Sequence, residues 1–332
     1  MRAYLKLILI VIVLIVGCKP TQNIKTLKLG HGLDVSHPVH KGIVFFAEDL
    51  NKRSNGSLNI KIYPNGQLGD ERELLELLQI GSLEITKVNA AVLENFVPDY
   101  KVLSIPYLFK SRGHAYKFYD SELGQNLLTK GESVRLRGLC YYDAGSRSFY
   151  TTEKPIYSAI DLKGLKIRTQ KSNMAIQMIR HLDASPTPID WSELYTALQQ
   201  GVVDGAENNL PSFFLSRHYE ISPYLTLDEH TRIPDVLVIG SSIWNSLSET
   251  EQKWILDSAK ASSQIQKKLW TDAENLALSE LLKENVEILE VSKDSFVELI
   301  SPMIDEMKSD SLYAYYINGI EEMLESENEY AN

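Results

Sequence analysis

The chain has 332 residues, of which 44% are hydrophobic, and this is enough apolar material for two domains. Its 34 basic and 44 acidic side chains leave a net charge of −10, which argues against nucleic acid and anionic lipid as partners. The chain has two cysteines, and if Cys18 is modified, Cys140 has no partner for a disulfide, so the hydrophobic core alone must hold the fold.

The N-terminus has the layout of a bacterial export signal. Arg2 and Lys6 precede the apolar run 7–16, which is too short for a comfortable membrane span, and Gly17-Cys18 follow. We therefore expect residues 1–17 to be a signal peptide. The ending Ile-Val-Gly-Cys resembles the lipobox of bacterial lipoproteins, which predicts a periplasmic protein anchored to a bacterial membrane through a lipid on Cys18. An uncleaved N-terminal anchor with a free Cys18 is the alternative.

Residues 18–26 are polar and are predicted to form a tether, after which strand and helix patterns alternate. The predicted elements of the first half follow in chain order: a strand at Leu27 and Leu29, a helix over 37–55, a strand over 58–62, a helix over 71–80 and a strand over 83–88. This β-α-β-α-β order is typical of an open, wound sheet.

The second half repeats this alternation. A short strand is predicted over 165–168, a helix over 173–182, and a second helix capped by Ser192 and running through residue 200. The segment 248–285 holds no proline or glycine and opens with a capping box, so it predicts one helix of roughly 55 Å. The sequence therefore predicts an α/β protein with a helix longer than one domain is wide.

Catalytic signatures are absent from the sequence: it has no nucleophile elbow, phosphate loop, dinucleotide fingerprint or zinc-protease motif. His31, His37 and His40 lie close together, but no second ligand cluster supports a metal site. We expect His37, which precedes Pro38, to begin a helix or to donate a ligand hydrogen bond. Neither a metal nor a cofactor is predicted.

Two arginines stand out by position. Arg168 ends the predicted strand 165–168, at the carboxyl edge where wound sheets bind ligands. Arg147 follows a glycine turn in the alternating segment 145–150. A guanidinium offers a planar fork that matches a carboxylate, so either arginine could hold an acid. The alternative is that each pairs with a surface Asp or Glu, and spacing alone does not decide between the two.

Four segments resemble the substrate-binding subunits of TRAP transporters, the DctP-type family. They are 64–69 (PNGQLG), 103–109 (LSIPYLF), 161–168 (DLKGLKIR) and 193–208 (ELYTALQQGVVDGAEN). The resemblance covers roughly residues 27 to 300. It implies a two-domain periplasmic-binding-protein-like α/β fold with a hinge and a long helix across both domains. It also implies a monomeric receptor, not an enzyme, which delivers a carboxylate-bearing solute to separate membrane permease subunits.

The resemblance implies a role for each residue of the second domain's wall. Arg168 matches the residue that makes a two-pronged salt bridge to the ligand carboxylate. Arg147 and Asn208 match residues that add hydrogen bonds from the same domain, and Trp191 matches an aromatic residue that lines the pocket.

The first domain's wall is predicted from position alone. Glu71 and Asn89 are expected to face the ligand, while Lys87, His31 and Asp235 are included because they lie near predicted strand ends. The predicted division assigns 27–144 with 234–273 to domain I, 145–233 with 274–322 to domain II, and 323–332 to an acidic tail.

The substrate class is predicted from smaller details. Asn209 after Asn208, together with segments 145–150 and 228–230, resembles the branch that binds sugar acids. We expect a hexuronate such as glucuronate or galacturonate first, and another sugar acid second. A C4-dicarboxylate is the third choice, with Lys87 as the second cation. An exported sugar-acid hydrolase or lyase and a solute sensor are the remaining alternatives.

Overall fold

The computed structural model describes residues 24–330, and side chains through residue 324. The predicted signal peptide, Cys18 and all but the last three residues of the predicted tether lie outside the described residues. In the part of the chain that is described, no helix combines the length and apolar character needed to cross a membrane.

The first sheet, sheet A, has five strands in the order β2-β1-β3-β10-β4. These strands are β1 (Lys25–Gly30), β2 (Leu58–Tyr63), β3 (Ile85–Asn89), β4 (Leu136–Tyr142) and β10 (Asp235–Gly240). β1 pairs in parallel with β2 and β3, and β10 runs antiparallel between β3 and β4. The helices of this half are α1 (Pro38–Arg53), α2 (Glu71–Gln79), α3 (Ala90–Leu93), α4 (Arg112–Asp120), α5 (Glu122–Thr129) and α9 (Ser241–Ser246), with a 3-10 helix over Pro98–Ser104.

The second sheet, sheet B, has six strands in the order β11-β9-β5-β8-β6-β7. They are β5 (Arg147–Thr151), β6 (Lys166–Thr169), β7 (Ser185–Pro188), β8 (Gly205–Asn208), β9 (Tyr224–Thr231) and β11 (Glu287–Glu290). β6 pairs in parallel with β7 and β8, whereas β5 runs antiparallel to β8 and β9. The remaining helices are α6 (Asn173–His181), α7 (Leu194–Gln199), α8 (Leu210–Leu215), α10 (Glu249–Leu281), α11 (Asp294–Ser309) and α12 (Ser311–Tyr330).

The predicted strands and helices agree with these elements except at two places. Ser192 does not cap α7, because it lies inside the 3-10 turn Trp191–Glu193, and the residue before the helix, Glu193, already has helical backbone angles. The predicted acidic tail does not form a segment of its own, because helix α12 continues through Tyr330.

Helix α10 connects the two halves. It begins with the predicted capping box at Ser248 and, with 33 residues, is roughly 50 Å long. It packs against α1 of the first half and α8 of the second. The contact with α1 is close, since a Cβ placed on Gly42 would lie 2.8 Å from the Cβ of Gln266. The prediction of one long helix across an α/β fold is confirmed.

The chain crosses between the sheets at 143–146 and 232–234 as well as in α10. Gln266 of α10 fixes the first crossing, because its side-chain amide accepts from the Asp143 backbone N–H at 2.8 Å and donates to the Asp143 carbonyl at 2.7 Å. The first crossing segment is therefore attached to the helix that contacts both halves.

The strands of sheet A, from residue 27 on, fall in the part of the chain assigned to domain I and those of sheet B in the part assigned to domain II. The last helix, assigned to domain II, also contacts the first half. α12 packs on α11 and also on the 3-10 helix and α4 of the first half. His114 Nε2 lies 2.7 Å from the Ile320 carbonyl oxygen, and the Tyr316 hydroxyl donates to Asp99 at 3.2 Å. The residue ranges of the two domains stay a prediction, and the packing of α12 favours placing it with domain I.

Candidate functional site

A cavity of about 400 Å³ lies between the two sheets, within the size range of small-molecule sites. Residues that line it come from both halves of the molecule. Of the nine predicted ligand-binding residues, the cavity brings together eight: Glu71, Lys87, Asn89, Arg147, Arg168, Trp191, Asn208 and Asp235. His31 is not among the lining residues.

Arg168 is one of three buried cations that line this cavity in the described part of the chain, with Lys87 and Arg147. Its side chain is 3% exposed, and its Nε donates to the Ile189 carbonyl oxygen at 2.8 Å. Among the described residues no carboxylate lies within salt-bridge distance of Arg168, and its two Nη groups have no hydrogen-bond acceptor. Burial lowers the pKa of Arg168, and the neighbouring Arg147 lowers it further. Because a guanidinium stays protonated even so, the cavity contains a positive charge that lacks a counter-ion.

Arg147 lies at the same wall but already has a carboxylate partner. Its Nε and Nη2 donate to the two carboxylate oxygens of Glu207, the latter at 2.9 Å. Its Nη1 donates to Asn208 Oδ1 at 3.1 Å, so Arg147 also fixes the Asn208 amide. The Asn208 Nδ2 group has no acceptor among the described residues. Arg147 therefore forms an ion pair within the protein, which was the alternative to holding an acid. The pair is buried, however, and not on the surface.

Behind Arg147 a chain of alternating charges runs into the core of sheet B. Burial would raise the pKa of Glu207, but Arg147 lowers it to about 2. His230 Nε2 lies 3.4 Å from Glu207 and its Nδ1 lies 2.8 Å from Asp228. Burial would lower the pKa of His230, yet these two carboxylates raise it to about 9. His230 is therefore a cation at neutral pH, and the network is balanced without a ligand.

Four side chains of the opposite wall form one polar group, called here the Lys87 cluster: Glu71, Lys87, Asn89 and Asp235. Lys87 Nζ lies 2.9 Å from Glu71 Oε1 and 3.2 Å from Asp235 Oδ2. Asn89 donates from its backbone to Glu71 at 3.2 Å and from Nδ2 to Asp235 at 3.1 Å. Since Asn89 Oδ1 also caps α3, the cluster is anchored at the end of β3.

The prediction for His31 is corrected by its position. His31 Nδ1 accepts from the Leu33 backbone N–H at 3.1 Å, and its Nε2 lies 3.0 Å from His40 Nδ1. His37 reaches the cavity instead. It caps α1, as expected for a helix start, and its Nε2 lies 3.2 Å from Ser212 Oγ of the other half.

Sequence reasoning missed a contact at the rim of the cavity. Lys171 Nζ lies 2.7 Å from Asp190 of its own half and 3.3 Å from Asp70 of the other half. The adjacent Trp191 lines the cavity, with its ring centroid 5.2 Å from that of His218. Lys171 therefore links the two halves beside the aromatic wall. Within the described ranges no three His, Cys, Asp or Glu side chains are grouped as metal ligands.

Two sheets joined by a crossing helix, with a cavity around an unpaired buried arginine, define a solute receptor of the two-domain periplasmic class. Residues 29–310 match the family described as bacterial extracellular solute-binding protein, family 7, or DctP, and the chain belongs to this family. Its members are periplasmic receptors and not enzymes, and solved relatives of this chain are described as TRAP periplasmic solute-binding proteins. The predicted family is confirmed.

Individual relatives agree with this assignment. The uncharacterised protein YiiZ of Salmonella typhimurium is 37% identical over 284 residues, which are 85% of this chain and 87% of YiiZ. A TRAP periplasmic solute-binding protein of Bradyrhizobium, solved with galacturonate, is 35% identical with a TM-score of 0.88 and covers 90% of this chain and 100% of its own. A TRAP periplasmic solute-binding protein from Anaerococcus prevotii, solved with glucuronate, is 31% identical with a TM-score of 0.89. The match covers 91% of this chain and 99% of that protein.

The charged network predicts a pH-dependent stability. Because the folded-state pKa of His230 is about 9, above the ordinary value of 6.5, its stabilisation is complete below pH 6.5 and is lost as the pH rises through 9. We expect the free energy of unfolding to fall by roughly 3 kcal/mol across this window. Urea unfolding at pH 6 and 9.5 measures the fall, with His230→Gln as the control that lacks it. If the free energy of unfolding falls equally in the parent and in His230→Gln, the role of His230 is contradicted.

Proposed function

We propose that this receptor captures a sugar acid, a hexuronate such as glucuronate or galacturonate first, by pairing the ligand carboxylate with Arg168. The observation that carries the proposal is the buried Arg168 guanidinium, whose Nη groups have no acceptor among the described residues. The ligands of the Bradyrhizobium and Anaerococcus proteins, galacturonate and glucuronate, support the same class. A bidentate guanidinium–carboxylate pair supplies both the missing charge and a fixed ligand orientation.

The remaining lining residues suit the rest of such a ligand. Asn208 Nδ2 lies at the same wall as Arg168 and is available as a further donor. Trp191 offers an apolar face to one side of a sugar ring. On the opposite wall Glu71 Oε2 has no donor among the described residues, so it is an acceptor for a ligand hydroxyl. A sugar acid uses all three kinds of contact, since it has one carboxylate and several hydroxyls.

Domain closure is the proposed capture mechanism. Domain I comprises 27–144 with 234–273, and domain II comprises 145–233 with 274–322, apart from α12. The crossing segments 143–146 and 232–234 act as the hinge. Contacts between the halves at Lys171–Asp70 and His37–Ser212 support this as the closed arrangement. A ligand that bridges both walls favours the closed state, which the membrane permease subunits then recognise.

Arg168→Ala tests the carboxylate assignment. The variant leaves the ligand carboxylate buried without its partner, so affinity for glucuronate and galacturonate should fall more than ~100-fold, or at least ~3 kcal/mol. Isothermal titration calorimetry measures the change. Arg180→Ala, which removes an exposed arginine from α6, is the matched control and should bind as the parent does. Parental affinity in Arg168→Ala at an unchanged melting temperature would refute the assignment.

We further propose that residues 1–17 are a signal peptide and that Cys18 carries a lipid on the tether 18–26. The apolar run 7–16 followed by Gly17-Cys18 supports this proposal. The lipid would keep the receptor close to its permease.

Cys18→Ser tests the anchor. In a bacterial host the parent should incorporate labelled palmitate and sediment with membranes, whereas the variant should do neither. Cys140→Ala is the control, because Cys140 is buried in sheet A and should not affect labelling. If the parent sediments with membranes but takes up no label, the N-terminal segment is an uncleaved anchor instead.

A further inference from the structure

The two walls of the cavity carry opposite charge. On the sheet B wall two cations, Arg147 and Arg168, face one carboxylate, Glu207, so one positive charge is left over. On the opposite wall one cation, Lys87, lies between two carboxylates, Glu71 and Asp235, so one negative charge is left over.

The rim adds to the negative side. There Lys171 lies between the carboxylates of Asp70 and Asp190, again one cation between two acids. Away from Arg168, Lys87 and Lys171 each lie between two carboxylates, so negative charge exceeds positive charge in this part of the cavity. A ligand that places its carboxylate on Arg168 directs its other end towards this negative region.

Lys87 is the side chain that would have to receive a second ligand carboxylate, and its surroundings oppose this. It is 4% exposed, and two of its three N–H donors are directed at Glu71 and Asp235. Burial lowers the pKa of Lys87, but Asp235 and Glu71 outweigh burial and raise it, so Lys87 is charged and already neutralised. A second carboxylate would meet Glu71 and Asp235 as like charges at close range, in a largely buried site where water screens them only weakly.

A neutral hydroxyl meets the same wall favourably. Glu71 Oε2 accepts no hydrogen bond from the described residues, and an O–H donor of a sugar can fill that position. The wall therefore favours a hydroxyl, which is neutral and can donate a hydrogen bond. It repels a carboxylate, which is negative and has no proton to donate.

We propose that the Lys87 cluster sets the charge of the ligand, admitting acids with one carboxylate and rejecting those with a second carboxylate at the far end. Uronates and aldonates are admitted; aldarates and C4-dicarboxylates are rejected. This inference rests on the proposed function, since it requires the first carboxylate to lie on Arg168. The selectivity requires both Glu71 and Asp235. Lys87 neutralises one of the two carboxylates, and the other leaves the negative charge that repels a second ligand carboxylate.

A matched pair of ligands tests the inference by calorimetry. D-galactonate and galactarate share one linear six-carbon skeleton and differ at a single end, a hydroxymethyl group in the former and a carboxylate in the latter. The parent protein should bind D-galacturonate and D-galactonate, and should bind galactarate at least 100-fold more weakly than D-galactonate.

Glu71→Gln tests the mechanism. It keeps the shape of the wall and removes one of the two carboxylates beside Lys87, so the preference for D-galactonate over galactarate should fall at least tenfold. Glu73→Gln is the matched control: it removes the same charge from the same helix and cavity, but Glu73 contacts Asp70 and not Lys87. It should leave the preference unchanged.

The outcomes distinguish a failure of the charge selectivity from a failure of the proposed sugar-acid binding. Equal binding of D-galactonate and galactarate by the parent would overturn the inference and leave the proposed function intact. An unchanged preference in Glu71→Gln, or an equal change in Glu73→Gln, would also overturn it. If the parent binds neither D-galacturonate nor D-galactonate but binds succinate or malate, both the proposed function and the inference are wrong.

Discussion

The structure depends on one unbalanced charge, the guanidinium of Arg168. An ion buried without a partner costs several kcal/mol, even after the surrounding protein relaxes. Its neighbours do not share this cost, since Arg147 is paired with Glu207 and His230 lies between Glu207 and Asp228. On the sheet B wall the uncompensated charge is therefore concentrated at Arg168. An anion that enters there removes the cost, and this is the physical source of the affinity that we propose.

The rest of the site limits which anion is held. Arg147 positions the Asn208 amide at the wall that also holds Arg168, and Arg147 is itself paired with Glu207. The Lys87 cluster supplies acceptors but no surplus positive charge on the other wall. Helix α10 contacts both halves and fixes the first crossing segment through Gln266, so packing on this helix holds the two walls in place. A carboxylate at one end and hydroxyls at the other match this division.

Sequence patterns predicted the elements well where the spacing is strong, as in α1, α2 and α10. Of the eight predicted residues that line the cavity, four came from the family resemblance and four from their position in the predicted elements. The partners could not be predicted. Glu207 lies 60 residues from Arg147, and only the antiparallel pairing of β5 with β8 brings them together. His37 lines the cavity and His31 does not for a similar reason, since the tertiary path of the loop decides which ring reaches the cavity.

The most direct test of the central claim is a crystal structure of the protein with D-galacturonate bound. The account predicts both carboxylate oxygens of the ligand within hydrogen-bond distance of the two Nη groups of Arg168, and ring hydroxyls directed at the Lys87 cluster. A ligand whose carboxylate lies on Lys171 or Lys87, while Arg168 contacts only protein groups or water, would contradict it.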